Sequence, residues 1–275
     1  MKFKKIEFLK EAIREDIGRG DLARFIVNGR SKAYIRVKQD GILSGIEYIK
    51  YINEIADIKI SFLKNDGDQL KIGDIICKLE GDSKDLLSCE RVILDILQHS
   101  SGIATNAKNF VTLTNKIKIL DTRKTRPLLR EFEKYSAKVG GVTNHRLGLD
   151  DCLMLKDTHL ALFKNITEAV KIARKNIPFT TKIEVECETV EMAVEAMKNG
   201  VEIIMCDNMS EKEIKKVVKY RDKNAFQTLI EASGNITIDT IKKYENLGID
   251  AVSSGSIIHQ ATFLDFSMKM ERLKK

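Results

Sequence analysis

A group of cationic side chains stands next to short apolar segments in the stretch 120–159. A charge at the edge of a buried segment is costly unless a ligand or a partner meets it. Arginine carries a planar fork of donors that suits carboxylates, whereas lysine is a point charge that suits phosphates. The side chains of this group are Arg123, Lys124, His145, Arg146 and Lys156. The pattern predicts a pocket for a small ligand with several negative charges.

The segment between the first group of cations, Arg123 and Lys124, and the second group, His145 and Arg146, predicts a helix. Pro127 suits a first helical position, Leu128 begins an apolar face with helical spacing, and Gly140-Gly141 ends the pattern. Further cations on this helix alternate with acidic residues, so we expect a solvated face with local ion pairs. The members of that face are Arg130, Glu131, Glu133, Lys134 and Lys138.

Length and composition limit the classes of protein to consider. A chain of 275 residues with 43% hydrophobic and 32% charged residues is typical of a globular α/β protein. Apolar runs stay short of a membrane span, and residues 1–16 predict an amphipathic helix, so we expect a cytoplasmic protein. The net charge of +7 is spread over helices without aromatic partners, which argues against nucleic acid. Five dispersed cysteines predict reduced, structural thiols.

The first part of the chain predicts an α+β unit. Residues 32–38 alternate as a strand does, and 60–80 contain two strand-like pieces separated by turns. A helical period follows from residue 86 to 115, and we expect a break at Ser100-Ser101-Gly102. Arg91 lies in the first half of this helical region. Considered alone, its position there indicates an ordinary surface arginine.

From residue 117 onward, apolar strand-like runs mostly alternate with amphipathic helices. Repeats of roughly 20–35 residues predict βα units and a parallel sheet, open or closed. In a barrel the carboxyl ends of the strands gather at one mouth, where such enzymes keep their active sites. The runs end at Asp121, Lys156, Glu186, Asp207, Ser233 and Ser254, and the intervening helices are centred near 170, 194, 217 and 242.

Two late loops favour a phosphate site. Ser233-Gly234-Asn235 and Ser254-Gly255-Ser256 each place a glycine beside polar side chains, so main-chain N–H groups can approach an anion closely. Barrels often hold a phosphate in the loops after their last two strands. Each loop alone predicts only a turn; it is the pair that indicates a site.

Two acidic residues, Glu186 and Asp207, end neighbouring strands. Carboxylates beside a phosphate pocket suggest Mg²⁺, bound directly or through substrate or water, or hydrogen bonds to sugar hydroxyls. The alternative is that Asp207 and Asn208 only cap the next helix. Glu184 points to the same side of its strand as Glu186 and is a candidate for a supporting role.

Seven segments in order resemble quinolinate phosphoribosyltransferase, and together they span essentially the whole chain. They are ERVILDILQHSSGIAT (90–105), DTRKT (121–125), GGVTNHRLGLDD (140–151), LKDTH (155–159), IEVE (183–186), CDN (206–208) and EASGN (231–235). The resemblance implies an N-terminal α/β sandwich-like domain, residues 1–103, and an irregular, incomplete α/β barrel, residues 104–265. The tail 266–275 would pack back on the first domain.

The resemblance also implies an activity and an assembly. Quinolinate and phosphoribosyl pyrophosphate would give nicotinate mononucleotide, pyrophosphate and CO₂, with Mg²⁺ required. The chain would form a homodimer, with a hexamer as a further assembly, and each site would borrow Arg91 from the neighbouring subunit.

Site roles follow from the resemblance position by position. Arg123, His145 and Arg146 would face the quinolinate carboxylates, and Thr122 would complete that contact. Lys124 and Lys156 would lie between the two substrates. Glu186 and Asp207 would meet ribose hydroxyls or Mg²⁺–pyrophosphate, and the loops 233–235 and 254–256 would bind the 5′-phosphate. Ser254 departs from the valine expected there, while the neighbouring Gly255 is retained.

Two other functions stay open at this point. A related enzyme of the same fold, such as the molybdenum-transport-associated relatives, would share the phosphate loops and the DTRK segment. A nucleotide-sensing or RNA-binding protein would rest on the positive charge alone. Arg91, His145, Arg146 and Lys156 together favour a dicarboxylate acceptor over both.

Overall fold

The computed structural model describes residues 2–271, and these divide into two compact units. The first comprises residues up to Asn106 together with the segment from Ala261 onward, and the second comprises Ala107–Gln260. The sequence placed these boundaries at 103/104 and 265/266. Of the predicted tail 266–275, residues 272–275 lie outside the described part.

The first unit is built on a four-stranded antiparallel sheet with strand order β12-β1-β5-β3. Side chains alternate along β1, so that Ala33, Ile35 and Val37 are buried on one face of the strand. Strand β12 pairs with one edge of β1 and β5 pairs with the other. A two-stranded sheet joins β2 to β4. The elements are α1 (Lys2–Ile17), β1 (Arg30–Val37), β2 (Gly41–Ile42), α2 (Ile46–Ile49), β3 (Ile58–Phe62), β4 (Gln69–Leu70), β5 (Ile75–Asp82), α3 (Ser83–Val111) and β12 (Phe266–Glu271), with 3-10 turns at Leu22–Phe25 and Ile52–Glu54.

Helix α3 is continuous, so the expected break at residues 100–102 is wrong. The hydroxyl groups of Ser100 and Ser101 bond to Ser44, at 2.8 Å to its Oγ and 3.1 Å to its carbonyl oxygen. A Cβ on Gly102 would overlap the carbonyl oxygen of Thr262. The small residues serve close packing inside a helix, which local sequence does not distinguish from a turn.

The second unit contains a six-stranded parallel sheet with strand order β6-β11-β10-β9-β8-β7. Residue Thr143 forms a further parallel bridge with Leu120 at the end of β6. Buried aliphatic side chains such as Ile183, Val185, Ile204 and Val252 form the centre of this core. The elements are β6 (Lys118–Leu120), α4 (Arg130–Val139), β7 (Leu153–Leu155), α5 (Asp157–Leu160), α6 (Ile166–Asn176), β8 (Ile183–Cys187), α7 (Val190–Lys198), β9 (Ile203–Asp207), α8 (Glu211–Lys223), β10 (Leu229–Ser233), β11 (Ala251–Ser253) and α9 (Ser256–His259).

The fold class expected from the sequence is confirmed: an N-terminal α/β unit accompanies an incomplete α/β barrel of parallel strands. Helix α8 opens with a capping box between Ser210 and Glu213. Since Ser210 is the N-cap, the alternative that Asp207 and Asn208 serve as the cap is wrong. None of the helices within residues 2–271 combines the length and the apolar character needed to cross a bilayer. All five cysteines are free thiols.

The helix predicted around residue 242 is a short 3-10 turn, Ile241–Tyr244. The hydroxyl of Thr240 accepts a hydrogen bond from the main-chain N–H of Thr237 at 2.9 Å, which offers the backbone an alternative to helix. Ile241 and Leu247 are buried all the same. Apolar spacing therefore identified the buried residues but assigned the wrong local structure.

Helix α4 begins at Arg130, three residues later than Pro127 suggested. Leu128 has a positive φ of 66° and is fully exposed, so it does not belong to the apolar face of the helix. The main-chain N–H and the guanidinium of Arg126 both bind Glu133, at 2.8 and 2.5 Å, and this pulls the preceding turn over the first turn of α4.

Candidate functional site

The carboxyl ends of the parallel strands surround a cavity of about 600 Å³ in the second unit. Its wall is formed by residues at or just after the ends of all six strands, as expected for a barrel mouth. The predicted site residues that line it are Thr122, Arg123, Lys124, His145, Arg146, Lys156, Glu186, Asp207, Ser233, Gly234, Asn235, Ser254, Gly255 and Ser256.

Arg91 is the predicted site residue that does not line this cavity. It lies on an exposed face of α3 in the first unit, where its guanidinium is 3.3 Å from the carboxylate of Asp95 one helical turn away. Both side chains are more than half exposed, so the ion pair is weak. Within one chain, Arg91 is the surface arginine that its local sequence predicts.

The sequence missed several lining residues. Met154 and Met205 lie two positions before Lys156 and Asp207, so strand alternation could have placed them on the same face. Asn208, Ile236 and Ser253 directly adjoin predicted residues. The remaining missed residues, Thr237, His259 and Gln260, carry no sequence signal that marks them for the site.

Three cations in the cavity have no carboxylate partner among the residues that the structure describes: Arg123, Lys124 and Arg146. Burial lowers the pKa of Arg123, and the neighbouring charges of Arg146 and Arg130 lower it further. Its Nε is buried without a hydrogen-bond partner in the described part of the chain. Like charges held together this way favour the binding of an anion.

The guanidinium of Arg146 is held from behind. Its Nη1 donates to the carbonyl oxygen of Cys152 at 3.0 Å, and its Nη2 lies 3.5 Å from the sulfur of Met154. These contacts come from the start of β7 and leave the positive charge uncompensated. They fix the direction in which the fork of donors faces the cavity.

A buried aspartate connects the end of β6 with the loop that carries His145. Asp121 accepts hydrogen bonds from the side chain of Asn144 at 2.6 Å and from the main-chain N–H of His145 at 2.8 Å. It also forms an ion pair with Lys134 of α4, and both side chains are almost fully buried. Lys134 donates a second bond to the carbonyl oxygen of Thr122 at 3.3 Å.

The solvated face predicted for α4 is therefore wrong for two of its members. Lys134 and Glu133 are buried, and each has an opposite charge that compensates it: Lys134 has Asp121, and Glu133 has Arg126. Alternation of Lys and Glu along a helix does not show that some of them turn inward to meet charges elsewhere in the sequence. Burial lowers the pKa of Lys134, and the charge of Asp121 opposes that effect.

Beneath the cavity, His145 meets two buried carboxylates. Its Nε2 lies 3.4 Å from Glu184 of β8 and 3.2 Å from Glu231 of β10. Burial lowers the pKa of His145, whereas hydrogen bonds to Glu184 and Glu231 raise it, and the net direction is upward. Burial and the charge of Glu231 raise the pKa of Glu184 above its ordinary value, although His145 opposes that rise.

The opposite side of the cavity carries acidic and basic groups in contact. Lys156 donates to Glu186 at 2.5 Å, and Asp207 accepts a bond from Asn208 at 2.8 Å. Each carboxylate keeps an oxygen not used in these contacts. This donor set fits Mg²⁺, which takes one or two protein carboxylates and completes its shell with water and substrate phosphates.

Two glycine-containing loops close the remaining side. Gly234 has a φ of +100°, and a Cβ there would overlap Asn208. Asn208 and Asn235 both have left-handed backbone, and the amide of Asn235 donates to Asn208 at 3.2 Å. The loop after β10 is therefore tied to the loop after β9, with main-chain groups close to the cavity.

Ser254 joins the last two loops. Its hydroxyl donates to the carbonyl oxygen of Ile236 at 2.6 Å and lies 2.7 Å from the hydroxyl of Ser256. Valine, the residue expected there from the resemblance, has no group for these bonds. In this chain the position links the loops to each other.

An α/β barrel with unpaired cations and two glycine loops at its mouth defines an enzyme class that binds a ligand with several negative charges. The family model described as quinolinate phosphoribosyl transferase, C-terminal domain, matches residues 103–269, and the model of the N-terminal domain matches 20–101. The chain belongs to the quinolinate phosphoribosyltransferase family.

Individual relatives agree with this assignment over their whole length. A Bacillus subtilis protein named probable nicotinate-nucleotide pyrophosphorylase (carboxylating) is 39% identical over 268 residues, covering 95% of this chain and 92% of its own. A protein of the same name from Methanothermobacter thermautotrophicus is 35% identical, covering 98% and 100%. The crystal structure of NadC from Streptococcus pyogenes superposes with a TM-score of 0.91 at 39% identity, covering 100% of both chains.

Proposed function

We propose that this chain transfers the phosphoribosyl group of phosphoribosyl pyrophosphate to quinolinate and removes CO₂. The products are nicotinate mononucleotide and pyrophosphate, and the reaction belongs to NAD biosynthesis. The observation that carries the proposal is the set of unpaired cations, Arg123, Lys124 and Arg146, in one cavity with two anion-binding loops. The relatives named above carry the same activity in their names.

The dicarboxylate is assigned to the side of Arg123, Arg146 and His145. Two guanidinium groups suit two planar carboxylates, because each can bind one carboxylate through two parallel donors. The lowered pKa of Arg123 supports this assignment, since a bound dianion would relieve the repulsion between Arg123 and Arg146. Thr122 completes this side, and its hydroxyl accepts the main-chain N–H of Lys124 at 3.0 Å.

Phosphoribosyl pyrophosphate is assigned to the remaining walls. The loops 233–235 and 254–256 would hold the 5′-phosphate, and Glu186 and Asp207 would bind ribose hydroxyls or the Mg²⁺–pyrophosphate. Lys124 and Lys156 would lie between the two substrates. The side chain of Lys124 packs beside Gly255, where a Cβ would come within 2.9 Å of it, and this close approach supports a place for Lys124 near the phosphate loop.

The chemistry needs positioning and charge stabilisation rather than a nucleophile from the protein. Pyrophosphate leaves as the ribose C1 becomes cationic, and the pyridine nitrogen of quinolinate attacks that carbon. Lys124 and Lys156 would stabilise the departing negative charge. The ribosylated nitrogen then withdraws electrons from the adjacent carbon, so the bond to its carboxylate breaks and CO₂ leaves. The electron pair of that bond stays on the carbon, where a proton from solvent replaces the carboxylate.

We propose Mg²⁺ as the cofactor, held by Glu186 and Asp207 directly or through water and the pyrophosphate. The bound ion would offset the negative charge of the pyrophosphate. The short contact of Lys156 with Glu186 would orient the carboxylate that faces it.

Beyond the single chain, we propose a homodimer, with a hexamer as a further assembly, in which Arg91 serves the neighbouring site. The exposure of Arg91 and its weak pairing with Asp95 support this, because the guanidinium is available to another chain. The cytoplasmic location stays a prediction from the sequence.

The activity is tested by an assay for nicotinate mononucleotide from quinolinate, phosphoribosyl pyrophosphate and Mg²⁺. Nicotinate as the acceptor is the matched control, because it lacks the carboxylate that leaves. We expect quinolinate to give nicotinate mononucleotide and CO₂ in equal amounts. We expect nicotinate to give no nicotinate mononucleotide. Inert quinolinate would instead favour a related enzyme with another acceptor.

A further inference from the structure

The three groups beneath the cavity, His145, Glu184 and Glu231, are not accounted for by substrate contacts alone. Glu184 is fully buried and Glu231 is 3% exposed, yet neither lines the cavity. Both oxygens of Glu184 and one oxygen of Glu231 have no hydrogen-bond partner among residues 2–271. Two buried carboxylates that share the single ring of His145 are costly, so their presence calls for a proton or a cation between them.

The two nitrogens of His145 face the protein. Nδ1 accepts the main-chain N–H of Arg146 at 2.7 Å, and Nε2 faces the two carboxylates. An accepting Nδ1 carries no proton, so the ring proton sits on Nε2. The carboxylates also favour a second ring proton, but that proton would break the bond from Arg146. The bond at 2.7 Å therefore selects the Nε2 tautomer.

Arg146 is thus held at both ends. Its main-chain N–H is bound by His145, and its guanidinium is bound by Cys152 and Met154. His145 is itself fixed by Asp121 at its main-chain N–H and by the carboxylate pair at its ring. A change in the ring proton would release one of the two points that set the position of Arg146.

We infer that Glu184 and Glu231 are positioning residues for the dicarboxylate side of the site: they keep the proton of His145 on Nε2, and His145 in turn fixes Arg146. This inference rests on the proposed function for its kinetic consequence but not for its structural one. Glu184 and Glu231 come from β8 and β10, on either side of β9, so the sheet holds them together. The two carboxylates therefore affect the binding of quinolinate and have no effect on the phosphate loops.

The test compares Glu184→Gln and Glu231→Gln with Glu202→Gln. Glutamine keeps the shape but removes the negative charge, so the pair favours the proton on Nε2 less strongly. Glu202 is the control, because its carboxylate binds the main-chain N–H of Ile183 at 2.7 Å and the guanidinium of Arg174 rather than the ring of His145. We expect each of the first two variants to raise the KM for quinolinate about tenfold while the KM for phosphoribosyl pyrophosphate stays unchanged.

The structural readout is the ¹⁵N spectrum of His145 in the unliganded protein. The unsubstituted protein should show a protonated Nε2 and an unprotonated Nδ1, and the two glutamine variants should lose that state.

Equal rises in KM for both substrates, or an unchanged tautomer in both variants, would overturn the inference. So would one equivalent of tightly bound metal that the two variants lose, because a cation would then bridge the carboxylates in place of the proton. If quinolinate were inert, the proposed function would fail while the spectrum still decided the role of the carboxylates.

Discussion

A place in the cavity without an acidic partner is the property that separates three site cations from the paired basic residues of the second unit. Arg126, Lys134, Arg174 and Arg221 each have an acidic partner within 4.0 Å. Arg123, Lys124 and Arg146 have none within the described residues, although Arg123 is partly buried. Their positive charge is therefore available to stabilise charge that develops on a ligand.

Removal of one of these charges should lower turnover without unfolding the protein. We expect Lys124→Ala and Arg146→Ala each to reduce kcat/KM for quinolinate by about 10²–10³, the usual cost of one charge-stabilising donor. Formation of nicotinate mononucleotide is the measurement, and the exposed Lys138→Ala on α4 is the matched control. Near-normal release of CO₂ by either site variant would contradict its role.

Ser254 gives a sharper test of the phosphate loops, because valine removes the hydroxyl and threonine adds the same branch on Cβ while keeping the hydroxyl. In Ser254→Val the carbonyl oxygen of Ile236 loses its bond at 2.6 Å, and the two loops lose a link. We expect a roughly tenfold rise in the KM for phosphoribosyl pyrophosphate, as for one buried hydrogen bond, with the KM for quinolinate unchanged. Ser254→Thr keeps the hydroxyl and is the control; a similar rise in that variant would point to packing instead.

At the scale of elements, helix α4 braces the strand end that carries the first two cations. Lys134 binds Asp121 and the carbonyl oxygen of Thr122, and Asp121 binds the loop that carries His145. The ion pair lies in an almost fully buried place, so each charge depends on the other. The helix thus holds together Asp121 and the loop of His145, which are 24 residues apart in the sequence.

Loss of the lysine should be costly for this reason. We expect Lys134→Met to lower the free energy of unfolding by about 3–5 kcal/mol, because it leaves the charge of Asp121 buried and uncompensated. The double variant Asp121→Asn/Lys134→Met should recover much of that loss. Urea unfolding measures both, with the exposed Lys138→Met as the control on the same helix. Equal stability of the two variants would rule out a buried ion pair.

Helix α3 allows a second test at this scale. Alanine normally stabilises a helix by about 1 kcal/mol relative to glycine. At Gly102 the added Cβ would overlap the carbonyl oxygen of Thr262, so Gly102→Ala should instead lower the free energy of unfolding by about 1–3 kcal/mol. The exposed Asn109→Ala in the same helix should be neutral or stabilising. A stabilising Gly102→Ala would mean that the close approach is relaxed in solution.

These elements also show what the sequence could and could not predict. The strand ends could be predicted because apolar runs stop at polar residues. Parallel strands bring those ends together wherever they lie in the chain. The buried pairs were not readable, because Lys134 and Glu184 meet partners from other segments and their own neighbours give no hint of burial. Serine and glycine in α3 were misread because tight packing and a turn use the same residue types.

For the whole molecule, the barrel mouth brings together all the predicted site residues except one. Arg91 belongs to the first unit, on an exposed helix face, and its ion pair with Asp95 is solvated. Sequence alone cannot decide whether such an arginine works in its own chain, in a neighbour or not at all, because the answer depends on assembly. The proposal that it acts in a neighbouring subunit makes a quantitative prediction for mixed dimers.

Arg91→Ala and Arg146→Ala should each be nearly inactive as pure proteins, because each lacks one carboxylate-binding arginine. In a mixed dimer, the cavity of the Arg91→Ala chain keeps its own Arg146 and receives an intact Arg91 from its partner. Random reassociation of equal amounts should therefore restore about one quarter of the unsubstituted activity, since half the dimers are mixed and each has one complete site. Activity that stays at the level of the separate variants, after mass spectrometry has shown that subunits exchanged, would mean that Arg91 serves its own chain or no site. A Lys138→Ala chain carrying Arg146→Ala should restore the same fraction, because Lys138 takes no part in the site.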